Sequence, residues 1–348
     1  CRRYDWDGVE LDWQRHAFHF PDDEGYRLRY LLTDLQRAIR RMTEALGEER
    51  GRPVYLAARV AGSLEMCRRI GYDIPAWIDE GLVDILVPAG NAVTDASINV
   101  AGFSELCAGT DIAVYPGFDS NLPDPFVGPE EPEAKDRLRT SAIANCYHRA
   151  GAAGIYVFNW HANRDSKRPL LTTIGTPETL AAQDKIYAAT HRYIQREGAW
   201  RGAFRIDRIY GQVPVDLERT LTGEGPTITL DVADDFRAHP PQRVQLRLRI
   251  NEWTDRDTVR VWWDGEALVT PEIAYCRLSD PAPPGGAFQP LPQWRDIADV
   301  SSAVWLCWDL GKTGMAMGEH AVRIAVQERC PQVAAALTLT DVELVVRY

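Results

Sequence analysis

Tyr4-Asp-Trp-Asp-Gly-Val-Glu-Leu-Asp-Trp-Gln-Arg-His16 is the stretch on which the reading of this chain turns. Val9 and Leu11 alternate with Glu10 and Asp12, the period of two that a β-strand imposes. The two apolar side chains then face one way, as a strand packed under helices requires, and the two carboxylates face the other. Asp7 reads as an anchor at the strand start.

Four more apolar runs follow, at Val54–Val60, Val83–Pro88, Ile112–Tyr115 and Gly154–Trp160. Helical periodicity fills the gaps. It is clearest over Tyr26–Leu46, where Leu28, Leu31, Leu32, Leu35, Ile39, Met42 and Leu46 recur at steps of three and four. Further helices are expected at Leu64–Ile70, Ala96–Leu106, Glu133–Ala150 and Pro177–Arg196, the last with Thr176 as N-cap and Pro177 at the first helical position. Alternating strands and helices predict a parallel sheet, with strands about 25–45 residues apart as in a (β/α)8 barrel. Only five strand–helix units are legible. The expectation is a partial (β/α)8, TIM-type barrel over residues 1–198, comprising the five C-terminal units, with three units, about 100 residues, missing before Cys1. A five-stranded doubly wound sheet competes, but it lacks the Gly-rich phosphate turn.

Residues 199–348 read as an all-β module, a C-terminal β-sandwich. Val244, Leu246, Leu248 and Ile250 alternate with polar residues, and so do Val322–Val326 and Leu337–Val346. Asp264-Gly265 after Val259–Trp263 is a hairpin signal. Asp280–Gly286 reads as a long loop, and the domain boundary falls near Gly198–Gly202.

Composition narrows the function. The 348 residues are 45% hydrophobic and 26% charged, with 11 tryptophans and 13 tyrosines, a leaning toward sugars, whose C–H faces stack on aromatic rings. No apolar run approaches the ~18–20 residues of a membrane span. The net charge of −11 is spread evenly, −6 over residues 1–200 and −5 over the rest. Nucleic acid is disfavoured, because nothing supplies a basic patch. The seven cysteines are scattered without a CxxC pair and read as buried free thiols.

The chemistry gathers at the C-terminal ends of the strands, where parallel barrels build active sites. Glu10 and Asp12 are the catalytic candidates. Two carboxyls this close cannot both ionise freely, and glycosidic cleavage needs one to protonate the leaving oxygen and one to attack, activate water or stabilise charge. Which does which is open. Arg59 ends the second strand, to pair with one of the carboxylates or to bind substrate. Asn159, Trp160 and His161 end the fifth strand and suit a sugar subsite. His16 and His19 after the first strand, Asn91 after the third and Tyr115 at the fourth complete the expected lining. A second carboxylate on a later strand is absent, with Asp119 and Asp124 the nearest alternatives. No metal-ligand spacing and no nucleophile elbow appear, so neither metal nor cofactor is expected.

These residues resemble a family. Asp7-Gly-Val-Glu-Leu-Asp-Trp13 with Arg15-His16 looks like the fourth strand of bacterial glycoside-hydrolase-like (β/α)8 barrels, many of them uncharacterised. Ala58-Arg59-Val60, Gly71-Tyr-Asp73 with Trp77, Gly81-Leu-Val-Asp84 and Gly154-Ile-Tyr-Val-Phe-Asn159 are similar to the segments that follow in the same proteins. Val259-Arg-Val-Trp-Trp-Asp-Gly-Glu266 and Leu339–Tyr348 look like the β-sandwich appended to such barrels, which binds carbohydrate or is structural. The resemblance implies carbohydrate-active chemistry with Glu10 and Asp12 as the acidic pair, and three strands missing before the first. A glycoside hydrolase of oligo- or polysaccharides is therefore expected, its partner a carbohydrate. A periplasmic or secreted location would suit the full-length protein. Two alternatives stand beside it: a non-catalytic carbohydrate-binding scaffold with a degenerate barrel, and a polysaccharide lyase with Arg59 on a uronate carboxylate and His161 or Tyr115 as base.

Overall fold

The computed structural model describes residues 2–15, 17, 19–21, 24–90, 94, 96–119, 130–161, 167–191, 193–194, 208–209, 211–218, 224–275, 302–311 and 315–348. The chain divides into two units. One comprises Cys1–Pro123, Tyr147–Arg164 and Tyr193–Ile209, the other Asp124–Cys146, Asp165–Arg192 and Tyr210–Tyr348.

The first unit runs β1 (Gly8–Asp12), α1 (Gly25–Arg50), β2 (Tyr55–Ala61), α2 (Leu64–Ile70), α3 (Ile74–Asp79), β3 (Ile85–Ala89), α4 (Val100–Leu106), β4 (Ala113–Val114) and β5 (Gly117–Phe118). β6 (Tyr156–Val157) follows α5 (Pro132–Arg149), most of which belongs to the second unit. The strands form one parallel sheet in the order β1-β2-β3-β5-β6, with β4 also on β3. Order follows sequence without the reversal of a doubly wound sheet. The sheet curls into a half-barrel. Leu56, Ala58, Val60 and Leu86 on its helix-covered face are wholly buried.

Local chemistry sets the element ends. The Ser63 hydroxyl accepts from Met66 N–H at 3.1 Å and starts α2, while Asn99 caps α4 through Gly102 N–H at 3.1 Å. That cap is why α4 begins at Val100 rather than at the expected Ala96. Gly51, at φ 66°, ends α1 in the left-handed conformation that glycine adopts freely. The fourth expected strand, Ile112–Tyr115, is shortened to β4, and a further strand, β5, follows Pro116, which has no N–H to continue the ladder. The α1 stripe is corrected too: Leu32 and Leu46 are buried, but Leu31, Leu35 and Met42 are exposed. The buried face is completed by polar residues instead. Gln36 donates to Leu82 O at 3.1 Å, and Thr33 accepts from Trp77 Nε1 at 3.1 Å.

In the second unit the helix expected over Pro177–Arg196 is corrected. Only α6 (Pro177–Leu180) is helical, and β7 (Lys185–Ala188) follows. Ile186 and Tyr187 are buried where β7 pairs with the last strand, and this tertiary pairing overrides a helical pattern. Two short strands, β8 (Tyr193–Ile194) and β9 (Arg208–Ile209), belong to the first unit. Then come β10 (Val215–Leu217), β11 (Thr227–Val232), β12 (Arg243–Trp253), β13 (Thr258–Trp263), β14 (Glu266–Ala267), β15 (Glu272–Tyr275), β16 (Ser302–Asp309), β17 (Gly318–Glu328) and β18 (Leu337–Arg347). One antiparallel sheet is ordered β10-β18-β12-β16-β15 with β7 on β18, and another β11-β17-β13-β14. Leu246, Leu248, Leu344 and Val346 from the first share one buried cluster with Ile228, Leu230, Val322 and Ile324 from the second. The Asp264-Gly265 hairpin forms as expected, both residues at positive φ. The Gly198–Gly202 boundary and the Asp280–Gly286 loop lie outside the described residues.

The other face of the larger sheet is polar yet buried. Lys135 of α5 meets Glu343 at 2.6 Å with both side chains at 0% exposure, and Arg247 meets Glu130 at 2.8 Å. Asp341 sits among His191 at 3.2 Å and Arg249 at 3.8 Å. Burial pushes its carboxyl up. The His191 hydrogen bond and the charges of His191, Lys135 and Arg249 outweigh that and hold it at about 2. A depressed carboxyl stabilises the fold above its unfolded-state pKa, and that stabilisation is lost as pH falls through the folded one. The second unit is therefore expected to lose stability from about pH 4 down to about pH 2. Chemical denaturation across that range checks it: Asp341→Asn should flatten the decline, and an unchanged decline would remove Asp341 as its source.

Candidate functional site

In parallel pairing, residues in register share a face of the sheet. Glu10 lies beside Ala57, Asp12 beside Arg59, Ala61 beside Ala89, Ala89 beside Gly117, and Gly117 beside Tyr156. One face of the half-barrel therefore carries Glu10, Asp12, Arg59 and Tyr156, with Ala57, Ala61, Ala89 and Gly117 and the apolar Ile85 and Val87 among them. At Gly117 there is no room for a side chain. A Cβ at Gly117 would stand 2.7 Å from Ala89 Cβ and 3.4 Å from Tyr156 Cδ1.

The curl makes the site. β1 and β6 are opposite edges of the sheet, and a flat sheet would hold strands four places apart by about 19 Å. Yet Tyr156 Oη donates to Glu10 Oε1 at 2.9 Å. Burial first, and the Glu10 carboxylate second, push the Tyr156 phenol well above its ordinary range. Tyr156 thus stays protonated and a donor at any working pH.

Asp12 is held differently. Its Oδ1 accepts from Arg59 Nη1 at 2.8 Å and from Arg15 N–H at 2.9 Å. Arg59, 1% exposed, also donates through Nη2 to Gly90 O at 2.7 Å and lies 4.3 Å from the Phe158 ring centroid. Arg15 approaches the same ring at 5.8 Å. An aromatic ring under a guanidinium stabilises the cation and fixes its plane. A second knot lies below: Tyr72 Oη donates to Trp13 O at 2.7 Å, and His19 Nε2 lies 3.1 Å from that hydroxyl. Burial pushes the His19 imidazole below its ordinary value, against the hydrogen bond to Trp13 O that holds it up.

The other expected lining residues have local settings of their own. Trp160 packs edge-on against buried Phe118, ring centroids 6.4 Å apart. Tyr115 lies against Gly154, whose ideal Cβ would stand 2.5 Å from its Cε1. Asn159, at φ 48°, and His161 are exposed. Asp119 is buried at the end of β5, its backbone N–H and C=O both bonded to the Thr94 hydroxyl. His16, Asn91 and Asp124 lie outside the described residues. Among the described residues, no group of three or more His, Cys, Asp or Glu side chains is disposed to hold a metal ion, and no helix is long and apolar enough to cross a membrane.

No protein-family model matches the chain, and no curated protein matches it. Among solved structures, one similar chain is a Paenibacillus sp. cycloisomaltooligosaccharide glucanotransferase complexed with cycloisomaltoheptaose. The identity is 11% over 87% of this chain and 30% of that one, with a TM-score of 0.20. Another is a two-domain esterase active on acetylated mannans, co-crystallised with mannopentaose, at 9% identity over 83% of this chain and 78% of that one, with a TM-score of 0.23. The chain spans less than a third of the length of the glucanotransferase. Likenesses this weak carry no argument. The site has to be read from its own geometry.

Tyr156 and Phe158, in contact with Glu10 and Arg59, join the candidate site beyond the residues expected from sequence; the period of two over Tyr156-Val-Phe158 is the signal that carries them.

Proposed function

We propose that the first unit is the C-terminal part of a glycoside-hydrolase-like (β/α)8 barrel, and that the chain acts on an oligo- or polysaccharide by hydrolysis of a glycosidic bond. The partial-barrel reading is supported by the sequential parallel strand order and by the exposed Leu31, Leu35 and Met42 on α1, a face that a further strand–helix unit would cover. The hydrolase reading rests on one observation: Glu10 and Asp12 share a face at the C-terminal end of β1 and have different partners.

That difference divides the labour. Asp12 is committed to a buried guanidinium and a backbone N–H, so it serves as the fixed negative charge. Glu10, bonded to a neutral phenol and open to solvent, is the carboxyl free to give and take a proton. In the proposed reaction Glu10 passes its proton to the leaving oxygen as the bond to the anomeric carbon breaks. Asp12 offsets the positive charge that develops on the sugar ring, and Glu10, now a carboxylate, takes a proton from the incoming water. Arg59 holds Asp12 in place. Asn159, Trp160, His161, His16, Tyr115 and Asn91 remain candidates to contact sugar further along the cleft. The two antiparallel sheets of the second unit form, on this reading, a β-sandwich that binds carbohydrate or supports the barrel.

The test is incubation of the intact protein with a panel of soluble polysaccharides and aryl glycosides, with release of reducing ends as the readout. Release that requires Glu10 supports the proposal, and its absence across the panel counts against it. The Arg59–Asp12 pair favours a second reading, a carbohydrate-binding scaffold in which this carboxylate is purely structural. That reading predicts glycan binding without turnover.

A further inference from the structure

We propose that Tyr156 is the positioning residue of Glu10: its hydroxyl, 2.9 Å from Oε1, fixes that oxygen as an acceptor and leaves Oε2 to exchange the proton with substrate. This rests on the hydrolase reading above and names a residue that reading does not require.

The terminal torsion of a glutamate is broad and nearly two-fold, so an unrestrained carboxyl presents either oxygen to a substrate. A proton donor must point at one atom, and a misplacement of about 1 Å can cost ~100-fold in rate. Glu10 is exposed on an edge strand, so packing does little to restrain it. The restraint comes from across the curl. Tyr156 opens β6 in register with Gly117, and its ring lies within ordinary contact distance of where a Gly117 β-carbon would stand, 3.4 Å from Cδ1. A half-buried phenol needs a polar partner for its hydroxyl, and Glu10 supplies it. With the phenol donating to Oε1, a proton carried by Glu10 is directed to Oε2.

The experiment is a double-mutant cycle on turnover with Glu10→Gln, Tyr156→Phe and the pair. Tyr156→Phe is expected to lower kcat ~10- to 100-fold with KM changed less than about threefold, and to add no further loss to Glu10→Gln. A purely structural tyrosine would instead give additive losses and a lower Tm. If Glu10→Gln keeps wild-type turnover, the hydrolase reading fails. If Glu10→Gln is inactive but Tyr156→Phe keeps its kcat, only the positioning inference is overturned. A second measurement needs no activity and no folded Tyr156→Phe protein: the 13Cζ resonance of labelled Tyr156, compared between wild type and Glu10→Ala, which removes the acceptor. A shift confined to Tyr156 is expected, and an unmoved resonance refutes the contact.

Discussion

On the proposed mechanism, Glu10→Gln is expected to lower turnover ~100- to 10,000-fold while the protein stays folded, the span by which a positioned acid–base group accelerates a reaction. The substitution keeps the shape of the side chain and its ability to accept from Tyr156, but it removes the transferable proton. KM should move little, because the loss falls on the step in which the glycosidic oxygen is protonated. Aryl glycosides with good leaving groups should be spared part of the loss, since they need less protonation. Equal losses on good and poor leaving groups would remove the acid role from Glu10. Asp12→Asn should also be inactivating, but for a different reason. It leaves Arg59, 1% exposed, facing a neutral amide, so its melting temperature should fall as well.

The second large effect concerns stability. Lys135→Met leaves Glu343 fully buried without its cation, and breaking such a pair costs about 3–5 kcal/mol. In a unit of this size that is roughly 6–20 °C in the Tm of its transition. Lys135 also stands 5.3 Å from the Trp305 ring centroid, so the methionine keeps part of the packing there. The double variant Lys135→Met/Glu343→Leu should recover most of the loss, because an apolar pair of similar volume has no desolvation to overcome. Thermal and denaturant unfolding of the three variants decide this. A double variant as unstable as Lys135→Met would show that volume, not charge, governs the contact.

The particular elements show what was legible. The helix ends at Ser63 and Gly51 and the Asp264-Gly265 turn are set by residues next to them in sequence, and local chemistry suffices there. α3 was missed because six residues are too few for a helical period to register. β7 was misread because its strand state depends on β18, more than 150 residues away. The apolar stripe of α1 predicted one buried face, but Gln36 and Thr33 found hydrogen-bond partners and took part of that place.

The same division runs through the site. Alternation alone put Glu10 and Asp12 on one face of one strand, and the order of apolar runs announced a parallel sheet followed by antiparallel ones. The sequence offered Arg59 to one of the two carboxylates, but nothing local could say that it would take Asp12, 47 residues before it, or that Glu10 would belong to Tyr156, 146 residues on. Those partnerships come from the curl of the sheet, which brings its two edges together. Curl is a sum of twists over many strand pairs, so it exists only once the strands are assembled.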